Sequence, residues 1–486
     1  KTCGELFEGI DCTIIGNADE LVSGIAYRSD CVKPGDAFCC IVGLKSDGHS
    51  YAQDAIDRGA RVLIVERKIY LADATDITEV VVKDSRKAMA RMASRFYGEP
   101  SKEFSLVGVT GTNGKTSSTL LLKQVLEKVQ GAKVGLVGTM ANMIGQEIIP
   151  TERTTPESLD LQALFARMRD AGCTHVIMEV SSHALTLERV GGVHYDVAAF
   201  TNLTEDHLDF HKTMDAYCDA KAELFRRCGK AVINMDDDYS DRILAAAACP
   251  VLTTSVKQAK GLHAEDVELH AEGIRFTAVL GEAREPVSLP IPGGFTVYNA
   301  LTVLGCAYQL GISLHDCAAA LRTAQGVKGR VEVVPTPGKD YTVLIDYAHT
   351  PDALENVLRS VRDFCKGRLI SVFGCGGDRD PIKRPIMGHI GAQLSDLAVI
   401  TSDNPRTEAP MAIIEDIVKG VKQEDGEYIV IEDRPAAIRY AMDIAEKNDI
   451  IVLAGKGHET YQDIGGHKRH LDEREEVAAH LKELRD

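Results

Sequence analysis

The chain has 486 residues, 44% of them hydrophobic, and a formal net charge of −17. That length predicts two to four domains with ample apolar material for their cores. The acidic balance excludes non-specific binding to nucleic acid or anionic membrane, but leaves room for a local basic pocket around a small anion.

The start, KTCGELFEGIDCTII, is too acidic and too broken for a signal peptide. Residues 1–102 read as one small unit. Its strand-like runs are DAFCCIV (36–42), ARVLIVE (60–66) and EVVVKD (79–84). Helical periodicity follows in SRKAMARMASRFYG (85–98), and Gly98 and Pro100 stop that helix. EPSKEF (99–104) reads as a linker.

The next unit, 103–331, opens with SLVGVTGTNGKTSSTLLLKQVLEKVQG, a strand, a glycine-rich turn and an apolar-striped helix. Further strands are KVGLVGT (133–139), HVIMEVS (175–181), DVAAFTNL (196–203) and KAVINMDD (230–237), with helical segments between several of them. That alternation predicts a mostly parallel sheet. From 257 to 290 the strands become shorter and more alternating, and residues 293–311 read as a helix entered through glycines.

The turn GVTGTNGKTSS (108–118) carries the sharpest chemistry. Gly111 and Gly114 allow a tight turn, and the helix that follows aims free N–H groups at phosphate. Lys115 can reach terminal phosphates and Thr116 can ligate Mg²⁺. Gly111, Thr112, Asn113, Gly114, Lys115, Thr116 and Ser117 are therefore the expected contacts to ATP or GTP. The match to GxxxxGK[ST] is imperfect, with Val109 in place of the first glycine.

Glu179 ends an apolar strand, where it is either a Mg²⁺ ligand or a capping acid. His207 lies among Asp206 and Asp209 in TNLTEDHLDFH (201–211), as a metal or phosphate ligand or a plain surface histidine. Lys221, in the helical run DAYCDAKAELFRRC (215–228), reads from spacing alone as a snorkelling surface lysine.

The last unit, 332–486, repeats the alternation in YTVLIDYAH (341–349), RLISVFGCGG (368–377), LAVITSD (397–403) and DIIVLAGKG (449–457). Each strand ends in polar or glycine-rich residues, and ligands of open α/β sheets bind beyond such ends. In TSDNPRTEAP, Pro405 fixes a turn that presents Arg406. The 13 cysteines are scattered with no CxxC pair, so free thiols are expected. No apolar run approaches the roughly 20 residues of a membrane span.

Taken together, GVTGTNGKTSS, EVSSHAL, TNLTEDHLDFH, KAELF, GRVE, DYAHTPDAL, GCGGDRD, DNPR and GKGHE resemble the Mur ligases in nearly the whole chain and in motif order. Folylpolyglutamate synthetases share the ATP domain and its chemistry, but not the N-terminal unit or DNPR. The resemblance implies an α/β fold in three domains: a small N-terminal α/β domain (1–102), a central P-loop domain with a mostly parallel sheet (103–331), and a Rossmann-like C-terminal domain (332–486). It implies a cytoplasmic, monomeric, ATP- and Mg²⁺-dependent ligase acting on UDP-N-acetylmuramoyl-L-alanyl-D-glutamate and meso-diaminopimelate. Lys115, Lys221 and His207 become catalytic candidates, and Thr116, Glu179, His207 and Lys221 metal ligands. Lys221 is then an N6-carboxylysine formed with CO₂. Asn299, Arg330 and Asp346 are expected to complete the nucleotide site. Ser29, Thr154, Thr155, Ser181 and Arg189 are expected to hold the UDP-muramoyl-dipeptide. In place of the family's acid-serine-arginine, this chain has Arg28-Ser29-Asp30. Arg379, Asp403, Asn404, Pro405, Arg406, Gly455 and Glu459 are expected to bind diaminopimelate, with Arg406 reading its extra carboxylate through a planar donor fork.

Overall fold

The computed structural model describes the chain apart from residues 44–45, 70–75, 424 and 485–486, and apart from the side chain of Asp209. Leu44 and Lys45 in the stretch expected to bind UDP, and Asp209 in the polar cluster, thus lie outside the described residues. Residues 1–254 with 302–312 form one compact unit, and 255–301 with 313–486 form a second.

The first unit contains two sheets. The N-terminal one has five strands in the order Cys12–Ile15, Thr78–Val82, Val62–Val65, Ala37–Cys39 and Ile25–Ala26. All pairs are parallel except the first. The helix Ser85–Phe96, capped by the Asp84 carboxylate on the Lys87 amide, buries Ala88, Met89, Met92 and Ala93 against it. The segment 99–104 is not a free linker. Pro100 and Ser101 are buried in a single 3₁₀ turn, and Phe104 packs edge-on against Phe165 with ring centroids 5.5 Å apart. An apolar residue at its end has too much surface to leave in water.

In the central sheet the strands run in the order Val251–Ser255, Cys228–Asn234, Tyr195–Phe200, Ser105–Thr110, His175–Glu179 and Val134–Val137, all parallel. The short strands Asn142–Ile144 and Glu147–Ile149 add an antiparallel edge. The middle strands are buried on both faces, as a sheet covered by helices requires. Ser105–Thr110 is central, so its carboxyl end points the phosphate loop outward from the middle of the sheet. The adjoining ends of His175–Glu179 and Tyr195–Phe200 deliver Glu179 and the 201–207 segment to the same edge.

The second unit contains three antiparallel strands, Leu262–His270, Gly273–Leu280 and Ala283–Leu289, with a bulge between Glu265 and Glu268. Its main sheet has the order Glu332–Val334, Thr342–Asp346, Ile450–Ala454, Leu369–Phe373, Leu397–Ile400 and Tyr428–Val430, parallel but for the first pair. A separate hairpin, Tyr461–Ile464 with His467–His470, was not foreseeable as an apolar alternation, because its second strand is exposed throughout. All 13 cysteines are free thiols. Among the described residues no helix is long and apolar enough to cross a membrane.

Candidate active site

The phosphate loop joins the strand Ser105–Thr110 to the helix Lys115–Gln130. Gly111 has φ +152°, and a Cβ there would stand 1.8 Å from Thr201 Oγ1, so only glycine passes. The 201–204 segment grips the loop from the next strand end. The Thr112 amide donates to the Asn202 carbonyl at 2.9 Å, the Asn113 amide to Asn202 Oδ1 at 2.9 Å, and Thr201 Oγ1 to the Asn113 carbonyl at 2.7 Å. Lys115 Nζ folds back onto the Gly111 and Thr112 carbonyls, both at 2.8 Å. Burial pushes its ammonium below the usual lysine range.

Lys221 is buried, contrary to the surface position its spacing suggested. The helix Met214–Phe225 packs its Ala222, Leu224 and Phe225 inward, and the same face carries Lys221 under the phosphate loop. Its Nζ donates to the Gly111 carbonyl at 2.9 Å, the acceptor that Lys115 also uses. Two lysine side-chain nitrogens thus converge on one oxygen. Lys221 forms no ion pair among the described residues; its other neighbour is the Tyr217 ring, with Nζ 4.6 Å from the centroid. Burial, and after it the charge of Lys115, push the Lys221 amine well below its ordinary value.

Beside these lysines stand hard oxygen donors. Thr116 Oγ1 donates to Glu179 Oε2 at 3.0 Å, and Glu179 is buried at its strand end. Thr139 donates to both oxygens of the same carboxylate, from its amide at 2.9 Å and its hydroxyl at 3.0 Å. A hydroxyl next to a carboxylate, aimed at a phosphate loop, is the donor chemistry that suits Mg²⁺. Among the described residues no three His, Cys, Asp or Glu side chains gather into a metal cluster. His207 is half exposed, in the left-handed conformation at φ 54°, with Nε2 3.3 Å from Asp206 Oδ2. Its ring meets His183 edge-on at 4.8 Å and Tyr217 at 6.1 Å.

The same edge holds four of the residues expected to bind the dipeptide. Thr154 Oγ1 and Thr139 Oγ1 are 3.1 Å apart. Thr155 Oγ1 donates to the Glu179 carbonyl at 2.8 Å, and the Ser181 amide donates back to Thr155 Oγ1 at 3.2 Å. Ser181 caps the helix Ser182–Thr186. Arg189 bonds the Thr155 carbonyl at 3.2 Å and pairs with Glu157 at 3.1 Å. Ser29 is placed elsewhere, on the 3₁₀ turn Ser29–Cys31 in the N-terminal sheet region, where it hydrogen-bonds Asp54. Its neighbours Arg28 and Asp30 pair with each other at 2.6 Å.

Asn299, Arg330 and Asp346 belong to the second unit. Asn299 and Asp346 are buried, whereas Arg330 is exposed and stacks over Tyr347 at 5.6 Å. Asp346 accepts from the Val331 amide at 2.9 Å, and burial raises its carboxyl. In the same unit the strand ends converge around Asp403–Arg406. Asn404 braces the turn: its Nδ2 donates to Glu459 Oε2 at 3.0 Å, and its Oδ1 accepts from the Asp463 amide at 2.9 Å and from Lys456 Nζ at 3.1 Å. Arg406 adopts φ 50°, and its Nη1 donates to the Gly377 carbonyl at 2.6 Å. Its backbone bonds the 461–470 hairpin, amide to Asp463 and carbonyl from Gly465. Pro405 is buried, Gly455 adopts φ +118°, and Arg379 is exposed beside Asp378.

Sequence reasoning missed Thr139, Asn202 and Tyr217 around the phosphate loop, and Lys456 and the hairpin behind the turn. Asn202 lay inside a cluster already singled out, and Lys456 inside GKGHE. Thr139 and Tyr217 carried no spacing signal.

Comparison with known proteins agrees with this arrangement. The chain matches the Mur ligase family, catalytic domain, over residues 21–97, the Mur ligase middle domain over 109–307, and the Mur ligase, glutamate ligase domain over 329–457. It is 48% identical over 481 residues to a Clostridium botulinum protein named UDP-N-acetylmuramoyl-L-alanyl-D-glutamate--2,6-diaminopimelate ligase, covering 99% of each chain. A Clostridium tetani protein of the same name is 48% identical over 485 residues, again with 99% of each covered. A solved structure of an enzyme of that name superimposes with a TM-score of 0.80 at 31% identity, covering 100% of this chain and 99% of the other. With three family domains in order and near-complete coverage at such identity, the chain belongs to the Mur ligase family.

Proposed function

We propose that the chain is a cytoplasmic, monomeric ATP-dependent ligase of peptidoglycan precursor synthesis. It joins the D-glutamate carboxylate of UDP-N-acetylmuramoyl-L-alanyl-D-glutamate to the amine of meso-2,6-diaminopimelate and releases ADP and phosphate. Residues 1–102 would hold the UDP end, with Ser29 among the contacts, residues 103–331 the nucleotide, and residues 332–486 the amino acid. The name of the clostridial relatives supports the reaction. One observation carries the acyl-activating site: Lys115 and Lys221 meet at the Gly111 carbonyl beside the Thr116–Glu179 pair, whose strand also anchors Thr155 and Ser181. A nucleotide switch would need the loop but not the Thr155–Ser181–Arg189 cluster beside it.

The chemistry has a physical order. A carboxylate is a poor acyl donor, because its leaving group would be oxide. Transfer of the terminal phosphoryl group of ATP to that carboxylate makes an acyl phosphate, whose leaving group is phosphate. The amine then attacks the acyl carbon, the C–N bond forms, the C–O bond to phosphate breaks, and the amine loses its proton to solvent. Lys115 exchanges its two carbonyl acceptors for phosphate oxygens and offsets the charge that builds on them. Thr116 and Glu179 would hold Mg²⁺, with His207 as a further ligand. When bound, the metal supplies charge neutralisation at the phosphate oxygens. Lys221 would carry the N6-carboxy group. Burial and the nearby Lys115 charge favour the unprotonated amine. That form adds CO₂ with loss of a proton to solvent, and the added carboxylate would face Lys115 with the opposite charge. Thr154, Thr155, Ser181 and Arg189 would fix the dipeptide end next to the phosphoryl group. Asn299, Arg330 and Asp346 would contact the nucleotide. Arg379, Asp403, Asn404, Pro405, Arg406, Gly455 and Glu459 would form the amino-acid site.

The test is ADP release measured with each substrate omitted in turn, with the product identified by mass. Full turnover is expected only with ATP, the UDP-muramoyl-dipeptide and diaminopimelate together. Sustained ADP release without the muramoyl-dipeptide would contradict the assignment.

A further inference from the structure

Behind the Asp403–Arg406 turn lies a buried ionic cluster. Arg434 opens the helix Arg434–Asp443 and is fully buried. Its Nε donates to Glu473 Oε1 at 2.8 Å, and its Nη2 donates to the Ala454 carbonyl at 2.8 Å. Among the described residues its Nη1 has no hydrogen-bond partner. That atom stands 3.9 Å from Asp403 Oδ2, which has none either. The separation is too long for a hydrogen bond, yet short for two opposite charges out of water. On the other side, Lys456 Nζ lies 4.0 Å from Asp403 Oδ1, but is hydrogen-bonded to Asn404 and Glu459 instead.

Two buried cations, Arg434 and Lys456, thus face three carboxylates: Asp403, Glu459 and Glu473. One negative charge is left over. Glu473 also keeps one unbonded oxygen, but it is 0% exposed, whereas Asp403 retains 7%. The surplus charge is therefore within reach of a ligand only at Asp403. An unpaired buried carboxylate oxygen is costly until a donor meets it. Oδ2 itself is buried, on the Arg434 side, and Gly455 leaves it room, since a Cβ there would stand 2.5 Å from it. The residue's exposure therefore lies on its other atoms.

We propose that Arg434 is a positioning residue for the amino-acid site, holding the Asp403 carboxylate from behind at its buried Oδ2 so that the other oxygen, Oδ1, meets the incoming ammonium. The ligand's positive charge then completes a cluster that is one cation short. The proposal rests on the reading of this turn as the amino-acid site. Asn404 braces the turn, Arg406 faces the ligand's carboxylate, and Asp403, set by Arg434, takes its amine.

Arg434→Met, Arg434→Lys and Glu473→Gln are made in the full chain, and KM is measured separately for diaminopimelate, ATP and the UDP-muramoyl-dipeptide. Arg434→Met should raise KM for diaminopimelate about 10-fold or more while the other two stay within about 2-fold. Arg434→Lys should recover part of the loss. In an Asp403→Asn background, Arg434→Met should add less than about 2-fold, because the two residues act through one contact. Equal rises in all three KM values, a fall in kcat alone, or additive effects in the double variant would overturn the proposal. If Arg434→Met does not fold, Glu473→Gln decides by the same readout, since it loosens the guanidinium without deleting it. A selective rise in KM for diaminopimelate supports the proposal, and unchanged KM values overturn it. A wild type that shows no amino-acid-dependent turnover would instead refute the reading of the turn.

Discussion

Replacing Lys221 separates the cost of its position from its use. Its amine is buried, shares one carbonyl with Lys115 and lies against an aromatic ring, with no carboxylate paired to it among the described residues. Burial and the Lys115 charge both disfavour its protonated form. Methionine matches the length and apolar stem of the side chain, so the Lys221→Met change removes the desolvated group and leaves no large cavity. Replacing buried ionic groups by apolar residues of similar volume is often neutral or stabilising by about 1–4 kcal/mol, and an unpaired amine already pushed towards its neutral form belongs at the low end, about 0–1 kcal/mol. At about 2–4 °C per kcal/mol for a domain of this size, the melting temperature should hold or rise by a few degrees. Activity should move the other way. Loss of one preorganised group in a phosphoryl- and acyl-transfer site costs about 10²–10³-fold in kcat. Lys221→Ala should lose as much, and recover part with added short carboxylates, which can occupy the space and charge of the missing carbamate. Thermal unfolding in CO₂-free buffer and a ligase assay with and without acetate measure both arms. A methionine variant destabilised by more than about 1 kcal/mol would show that the lysine is a structural support. An active alanine variant would remove it from the mechanism.

Lys115→Ala should abolish product formation, by about 10²–10³-fold or more, while calorimetry shows the UDP-muramoyl-dipeptide still binding; retained turnover would refute its role at the phosphates. Asp449 gives a pH-dependent test of stability in the second unit. Its side chain is 3% exposed; burial pushes its carboxyl up, but the Glu446 and Arg368 amides and the Arg368 guanidinium, with Nη2 at 2.7 Å, outweigh that and hold it below the usual range. A carboxyl lowered in the folded state stabilises above its unfolded value, and that contribution is lost as the pH falls through the folded one. Asp449→Asn should therefore cost about 2–3 kcal/mol in urea unfolding at pH 7 and progressively less towards pH 3; a gap that does not narrow would contradict the assignment.

Much of the fold was legible because apolar runs and glycine punctuation are local. The strand–loop–helix around Lys115 and the four strand ends of the C-terminal sheet fall where the pattern placed them. Lys221 was not legible from spacing. A lysine among alanines on an amphipathic helix looks solvated, and only the loop folded above it, more than a hundred residues away in sequence, makes it buried. The segment 99–104 was misjudged because polar composition hid the anchoring Phe104. DNPR announced a turn, but it did not divide the work: Asn404 is consumed in bracing, while Asp403 keeps a free oxygen. Arg434 gave no signal, since an arginine after a helix cap is ordinarily exposed.

The most direct measurement is kcat/KM for meso-diaminopimelate and for L-lysine, in the wild type and in Arg406→Ala. The two amino acids differ at the far end, where only diaminopimelate has a carboxylate for a fixed guanidinium. Arg406 is fixed by the Gly377 carbonyl and by the hairpin that bonds its backbone. The wild type should prefer diaminopimelate by about 10²-fold or more, and Arg406→Ala should lose most of that preference through the diaminopimelate value. Equal use of lysine by the wild type, or discrimination unchanged in the variant, would contradict the account.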